Sequence, residues 1–221
     1  MSAAGEIIMN ESESDPENFR FLVDKARASG AADARIIPAG QIVIEDRVRQ
    51  KCITGCFEYG KHLTCPPYAP GVEEFRRSVA EYQYALVVKF RSEAEFGETI
   101  RYSLMQELID PHAKKESKES AFAFITAFVT EGNRLHRIML DLEKTAFNAG
   151  YPFALATVVG PGCRLCETCN TGGGQCNRPT MKRHCPEGLG INLVKTTAHA
   201  GMPIRFPAPH NPERVAVMLI D

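Results

Sequence analysis

Apolar positions recur along this chain in helical and strand rhythms that alternate. Phe19, Leu22, Val23 and Ala26 stand at helical spacing, behind Ser14-Asp15-Pro16 and ahead of Gly30, which predicts a first helix of about 14 residues. Residues 34–45 change to short β-branched runs on either side of Pro38-Ala39-Gly40, so two strands joined by a turn are expected, the second running straight into Cys52. Val72, Phe75, Val79 and Tyr82 mark another helix, followed by a hydrophobic strand over Ala85–Phe90. Residues 91–120 are highly charged, with a helix expected around Ile100–Ile109 that Asp110-Pro111 ends. The longest periodic stretch, Ser120–Ala149, predicts a helix burying Phe122, Ile125, Phe128, Val129, Leu135, Ile138, Met139, Leu142 and Ala146. A buried strand over Phe153–Val159, a short helix over Leu193–His199, a turn at Gly201–Pro203 and a last strand over Val215–Ile220 complete the pattern.

Helices alternating with four or five apolar strands place the chain in the α/β class. The expected architecture is a central mixed sheet flanked by helices, with cysteine-rich metal-binding loops at strand ends. Neither an internal repeat nor a low-complexity linker divides it, so residues 14–221 read as one domain behind a disordered acidic tail, residues 1–13. The 26 Lys and Arg against 27 Asp and Glu give a net charge of -1 with no basic footprint, so no nucleic-acid partner is expected. The longest apolar run, Ala121–Val129, is about half of the ~20 residues that span a membrane. Glu6, Glu11, Glu13 and Asp15 precede the first cation, Arg20, unlike a secretory leader, and a cytoplasmic location is expected.

The eight cysteines fall into two groups, with none between Cys65 and Cys163. In a reducing compartment such clustering points to metal ligands rather than disulfides. The second group opens with Cys163-Arg-Leu-Cys166-Glu-Thr-Cys169, a C-x2-C-x2-C run that matches the start of the bacterial iron-sulfur pattern. Its fourth ligand is either Cys176 or Cys185, the latter followed by Pro186. Gly172-Gly173-Gly174 would let the backbone wrap closely and aim N–H groups at sulfur. Arg164, Arg178, Lys182 and Arg183 supply positive charge around an anionic site. Zinc is the competing metal, but a third thiol two residues on crowds a tetrahedral site.

The first group, Cys52, Cys56 and Cys65, is one thiol short of a closed site. Its fourth ligand is open between His62, Cys185, a solvent or substrate atom, and a residue of a partner chain. An open position would make the site catalytic rather than structural, with Tyr59, Lys61, His62 and Tyr68 as nearby polar groups. Arg47, Arg49 and Lys51 would share one face of the expected strand, either solvated or beside this site. His136 reads as a packed histidine, and Phe122, Phe124 and Phe128 as core. Nucleotide-cradling glycine motifs and a serine nucleophile elbow are both missing.

Two patterns carry a family likeness: Cys52-x3-Cys56-x2-Tyr59-Gly60-x4-Cys65-Pro66-Pro67 and Cys163-x2-Cys166-x2-Cys169-x6-Cys176-x2-Pro179, with Gly190-Ile191 leading to the last strand. From about Lys51 to Asp221 the chain resembles the predicted metal-binding proteins of anaerobic archaea and bacteria grouped as domain of unknown function 2284. The resemblance implies that Cys52, Cys56, Cys65, Cys163, Cys166, Cys169 and Cys176 are metal ligands. Arg183-His184-Cys185 stands where the family tends to carry Arg-Pro-Ser, so Cys185 is a departure and Cys176 is favoured as the fourth ligand of the second group. The expected protein holds one 4Fe-4S cluster on Cys163, Cys166, Cys169 and Cys176, with a second possible. It would serve electron transfer or cluster-dependent redox chemistry of anaerobic metabolism with a redox partner protein. The alternatives are a zinc-stabilised interaction module and an enzyme with an open iron at the three-cysteine site.

Overall fold

Alternation of side chains across a strand buries both faces of this sheet. The computed structural model describes residues 16–95, 104–160, 162–205 and 211–221. Its helices are α1 (Arg20–Ala28), α2 (Asp46–Gly55), α3 (Val72–Val79), α4 (Leu104–Ile109), α5 (Lys115–Asn148) and α6 (Leu193–His199). Four strands, β1 (Asp33–Pro38), β2 (Tyr84–Arg91), β3 (Leu155–Ala156) and β4 (Glu213–Ile220), form one sheet in the order β1-β2-β4-β3. In the central strands Leu86, Val88, Phe90, Ala216, Met218 and Ile220 face one way, where Leu22 and Ala26 of α1 and Leu135, Met139, Leu142 and Ala146 of α5 cover them. Ala85, Val87, Val215, Val217 and Leu219 face the other way, against Val72, Phe75 and Val79 of α3 and against Ile42, Ile44, Leu189 and Ile191. Burial on both faces is why β2 and β4 read as unbroken apolar runs.

The α/β class and the flanking helices are as expected. The pairings of the four strands are all antiparallel, with Tyr84 opposite Ile220, Asp33 opposite Lys89 and Leu155 opposite Leu219, so the directions are more uniform than a mixed sheet. The strand expected to lead into Cys52 stops short: Ile44 makes only an isolated bridge to Ile191, and from Asp46 the chain is helical. Asp46 in the first turn favours a helix start. Arg47 and Lys51, four residues apart, therefore still share a side of α2, whereas Arg49 leaves it. Arg47 pairs with Glu45 at 2.7 Å, while Arg49 donates to the carbonyls of Pro70 and Gly188.

Helix α5 begins at Lys115, five residues before the expected start, and its first half is turned from the expected stripe: Ala121 and Phe124 are buried while Phe122 is 65% exposed. Phe153, expected inside a strand, is likewise exposed, and β3 is only two residues long. The expected tail, residues 1–13, and the start of the helix expected at Ile100 lie outside the described residues. Among the described residues, no helix is long and apolar enough to cross a membrane.

Candidate metal centre

Each cysteine group sits in a connection that packs against the other. Cys52 lies in the last turns of α2 and Cys56 just past its end, four residues on and hence on the same side of the helix. Cys65 follows in a turn closed by Gly60 N–H to the Pro66 carbonyl at 2.9 Å. The second group fills the connection between β3 and α6.

The structure gathers the eight thiols in two places. Cys163, Cys166, Cys169 and Cys176 line one small cavity of about 20 Å³, together with Leu63, Thr64, Arg178 and Lys182. Backbone N–H groups reach its sulfurs: Leu63 donates to Cys169 Sγ at 3.4 Å and Arg178 to Cys176 Sγ at 3.4 Å. Burial pushes the Cys163 thiol up, opposed by a backbone hydrogen bond at Leu165 and aided by the neighbouring Cys166, Cys176 and Cys169. The sulfur-directed N–H groups among the described residues thus come from Leu63, Leu165 and Arg178, not from the expected Gly172-Gly173-Gly174.

The remaining four thiols stand apart from this cavity. Cys52, Cys56 and Cys185 line a larger cavity of about 750 Å³, whose walls are mostly apolar and include Phe128, Ile191 and Val215, with Lys51 and Arg47 at hand. Cys65 and Cys185 are both buried and pack together with Val158. Burial pushes the Cys65 thiol up to about 12, with Cys56 and Cys52 adding to the rise. It pushes Cys52 up to about 11, with Cys56 and Glu187 adding to the rise. Cys185 is raised by burial and by Glu187, to which its thiol donates at 2.9 Å. Cys185 therefore stands with the first group and does not line the cavity of the second.

Two buried polar residues that spacing did not reveal, Thr64 and Glu58, hold the two connections together. Thr64 Oγ1 accepts from Cys163 N–H at 3.2 Å, and the Thr64 carbonyl accepts from Cys185 N–H at 3.2 Å. Glu58 takes both His62 Nε2 and, at 2.5 Å, the guanidinium of Arg164. Burial opposes the charge on Glu58, but His62 and Arg164 prevail and keep its carboxyl below the usual range. His62 Nδ1 and Arg164 Nε are buried without a partner among the described residues. No sequence signal marks Thr64, and Glu58 and Arg164 carry none beyond their charge.

The expected polar neighbours are dispersed. Tyr68 OH donates to the Thr171 carbonyl of the second connection, Lys61 lies over the Phe57 ring, and Tyr59 is exposed. Of the four cations expected around the second group, Arg178 and Lys182 line its cavity, whereas Arg164 is tied to Glu58 and Arg183 to Glu143. His136 is packed, its Nε2 donating to the Met181 carbonyl at 3.0 Å.

Four thiols with no carboxylate in one lining are soft donors suited to zinc or an iron-sulfur cluster and ill suited to magnesium or calcium. Among the described residues, no three His, Cys, Asp or Glu side chains stand ready in the arrangement of a bound ion. The site therefore fits such a group by donor chemistry and enclosure, and binding has to draw the thiols to their final spacing.

Gly162, immediately before Cys163, has φ +68°, and a Cβ there would lie 2.7 Å from His62 Cδ2. Gly162→Ala is expected to cost at least about 1–2 kcal/mol from the left-handed backbone alone. It should also push the His62 ring off Glu58. Denaturant unfolding checks this, and an unchanged midpoint would refute both the backbone cost and the clash with the ring.

No curated protein and no solved structure matches the chain. A family model does match it, over residues 35–220, and takes in all eight cysteines. The chain belongs to the family described as predicted metal-binding protein, DUF2284.

Proposed function

We propose that this metal-binding protein is an iron-sulfur protein, with a 4Fe-4S cluster held by Cys163, Cys166, Cys169 and Cys176. The observation that carries the reading is the one cavity lined by these four thiols, with backbone N–H groups directed at their sulfurs. Hydrogen bonds of this kind tune iron-sulfur sites by stabilising charge on sulfur. Such a cluster supplies one-electron transfer. Arg178 and Lys182 would set positive charge beside the anionic thiolates, and Leu63 and Arg178 would orient two sulfurs. The role is electron transfer, or cluster-dependent redox chemistry of anaerobic metabolism, in the cytoplasm and with a redox partner protein.

A second reading has its own observation. A cavity of about 20 Å³ has room for one water-sized body, so the thiols would close inward onto a single zinc ion, whereas a cubane requires them to spread. The protein would then be a zinc-stabilised interaction module.

Iron, zinc and acid-labile sulfide, measured per chain after purification without oxygen, separate the two. Cys166→Ser should remove about four irons and four sulfides from the total. Zinc without sulfide supports the second reading, and unchanged iron and sulfide in the variant overturns the first.

A further inference from the structure

We infer that Cys185 leaves the sequence group in which it lies and completes a second four-thiol metal site with Cys52, Cys56 and Cys65. The group bound there is a thiophilic metal centre, a soft divalent ion or an iron-sulfur cluster. The inference extends the proposed function but rests on different residues, so either can fail alone.

Four observations place Cys185 there. It packs directly with Cys65 and Val158. It shares the lining of the large cavity with Cys52 and Cys56. Its own backbone N–H is fixed on the carbonyl of Thr64, the residue before Cys65. The short helical turn after it, Glu187–Leu189, packs on α2, and Arg49 of α2 donates to the Gly188 carbonyl at 3.1 Å. The helix that carries Cys52 and the turn that follows Cys185 are thereby held as one unit. Thiols of this softness select the same metals as the second group.

The competing ring donor is otherwise engaged. His62 Nε2 is on Glu58, and the ring lies against Gly162 instead of among the residues lining the cavity. Of the two side chains of this chain that the spacing leaves open as a fourth ligand, Cys185 is the one that packs on Cys65 and shares a cavity wall with Cys52 and Cys56. The site then closes with protein sulfur alone, next to a cavity large enough for a small organic molecule.

Cobalt(II) is the probe, because sulfur-to-cobalt charge-transfer absorption reports thiolate ligands. The full chain, stripped of metal and reloaded with cobalt alone without oxygen, should bind about two equivalents as thiolate sites. Cys185→Ser and Cys52→Ser should each leave about one equivalent with about half the charge-transfer intensity. A folded Cys185→Ser chain that keeps both equivalents with unchanged absorption overturns the inference.

Because Cys185 is buried, the native residue is also tested in place, where no folding defect from its own replacement can interfere. In the double variant Cys163→Ser, Cys166→Ser, X-ray absorption should count about four sulfur neighbours on the remaining cobalt. Three sulfurs with a nitrogen or oxygen would overturn the assignment. If Cys166→Ser alone leaves metal and sulfide untouched while Cys185→Ser lowers the metal content, the second site stands and the proposed cluster on the first-named cavity falls.

Discussion

Replacing Glu131 with glutamine is expected to cost about 3–5 kcal/mol, because it strips the counter-charge from a guanidinium that has no access to water. The Arg214 side chain is 2% exposed, and its Nη1 lies 3.0 Å from Glu131 Oε2. It also donates to the carbonyls of Phe128 at 2.7 Å and Val159 at 2.9 Å, with its Cζ 3.9 Å from the centre of the Phe128 ring. Room for it comes from Gly132 and Gly160: a Cβ on either would meet Arg214 Nη2, at 2.9 and 2.4 Å. Ser92 and the Glu93 N–H complete the hydrogen bonding of Glu131. Urea unfolding measures the loss, and a cost below about 1 kcal/mol would mean that the pair is effectively solvated.

Acid provides a second view of the same pair. Burial works against charge on Glu131, but Ser92, Glu93 and Arg214 outweigh it and hold the carboxyl below its ordinary value of 4.5. With the folded value depressed, the contribution is complete above the ordinary value and is lost as pH falls through the lower, folded one. The glutamine chain should lack that part of the acid sensitivity.

His136 should give the largest pH dependence at milder acidity. Burial, aided by Arg183 and Arg137, lowers it from 6.5 to about 4, against the opposing pull of the Met181 carbonyl and Glu143. Between those values the unfolded chain takes up a proton that the folded chain refuses, so stability falls as pH drops from 6.5 toward 4. The loss amounts to about 3 kcal/mol. His136→Gln should flatten the stability curve over that range, and a curve parallel to the wild type would refute the assignment. The hydrogen bond concerned ties α5 to the segment between Cys176 and Cys185.

These contacts were the least legible part of the sequence. Periodicity found α1, α3, α6 and the central strands, because each has one apolar face or is buried on both. It failed in the first half of α5, where Ala121–Val129 is apolar nearly all round and fixes no phase. Burial there is decided by where Arg214 and Glu131 meet, a pairing across 83 positions. It failed again at residues 46–55, where β-branched residues upstream suggested a strand that a single bridge could not sustain. For the thiols, two-residue spacers marked the group at Cys163 because neighbours in sequence are neighbours in space. The place of Cys185 depends on Thr64 and on a helix more than a hundred residues away, which no spacing records.

The order of the sheet has a consequence for synthesis. β4 lies between β2 and β3, yet it is made last, so the sheet cannot close until the ribosome has passed Ile220. Every cysteine has been made by then, while β2 is paired only with β1 and the cavity beside Cys52, Cys56 and Cys185 still lacks the β4 part of its wall. The nascent chain thus passes through a stage in which eight reactive thiols and one bare strand edge are exposed together, and oxidation or mispairing at that stage competes with folding.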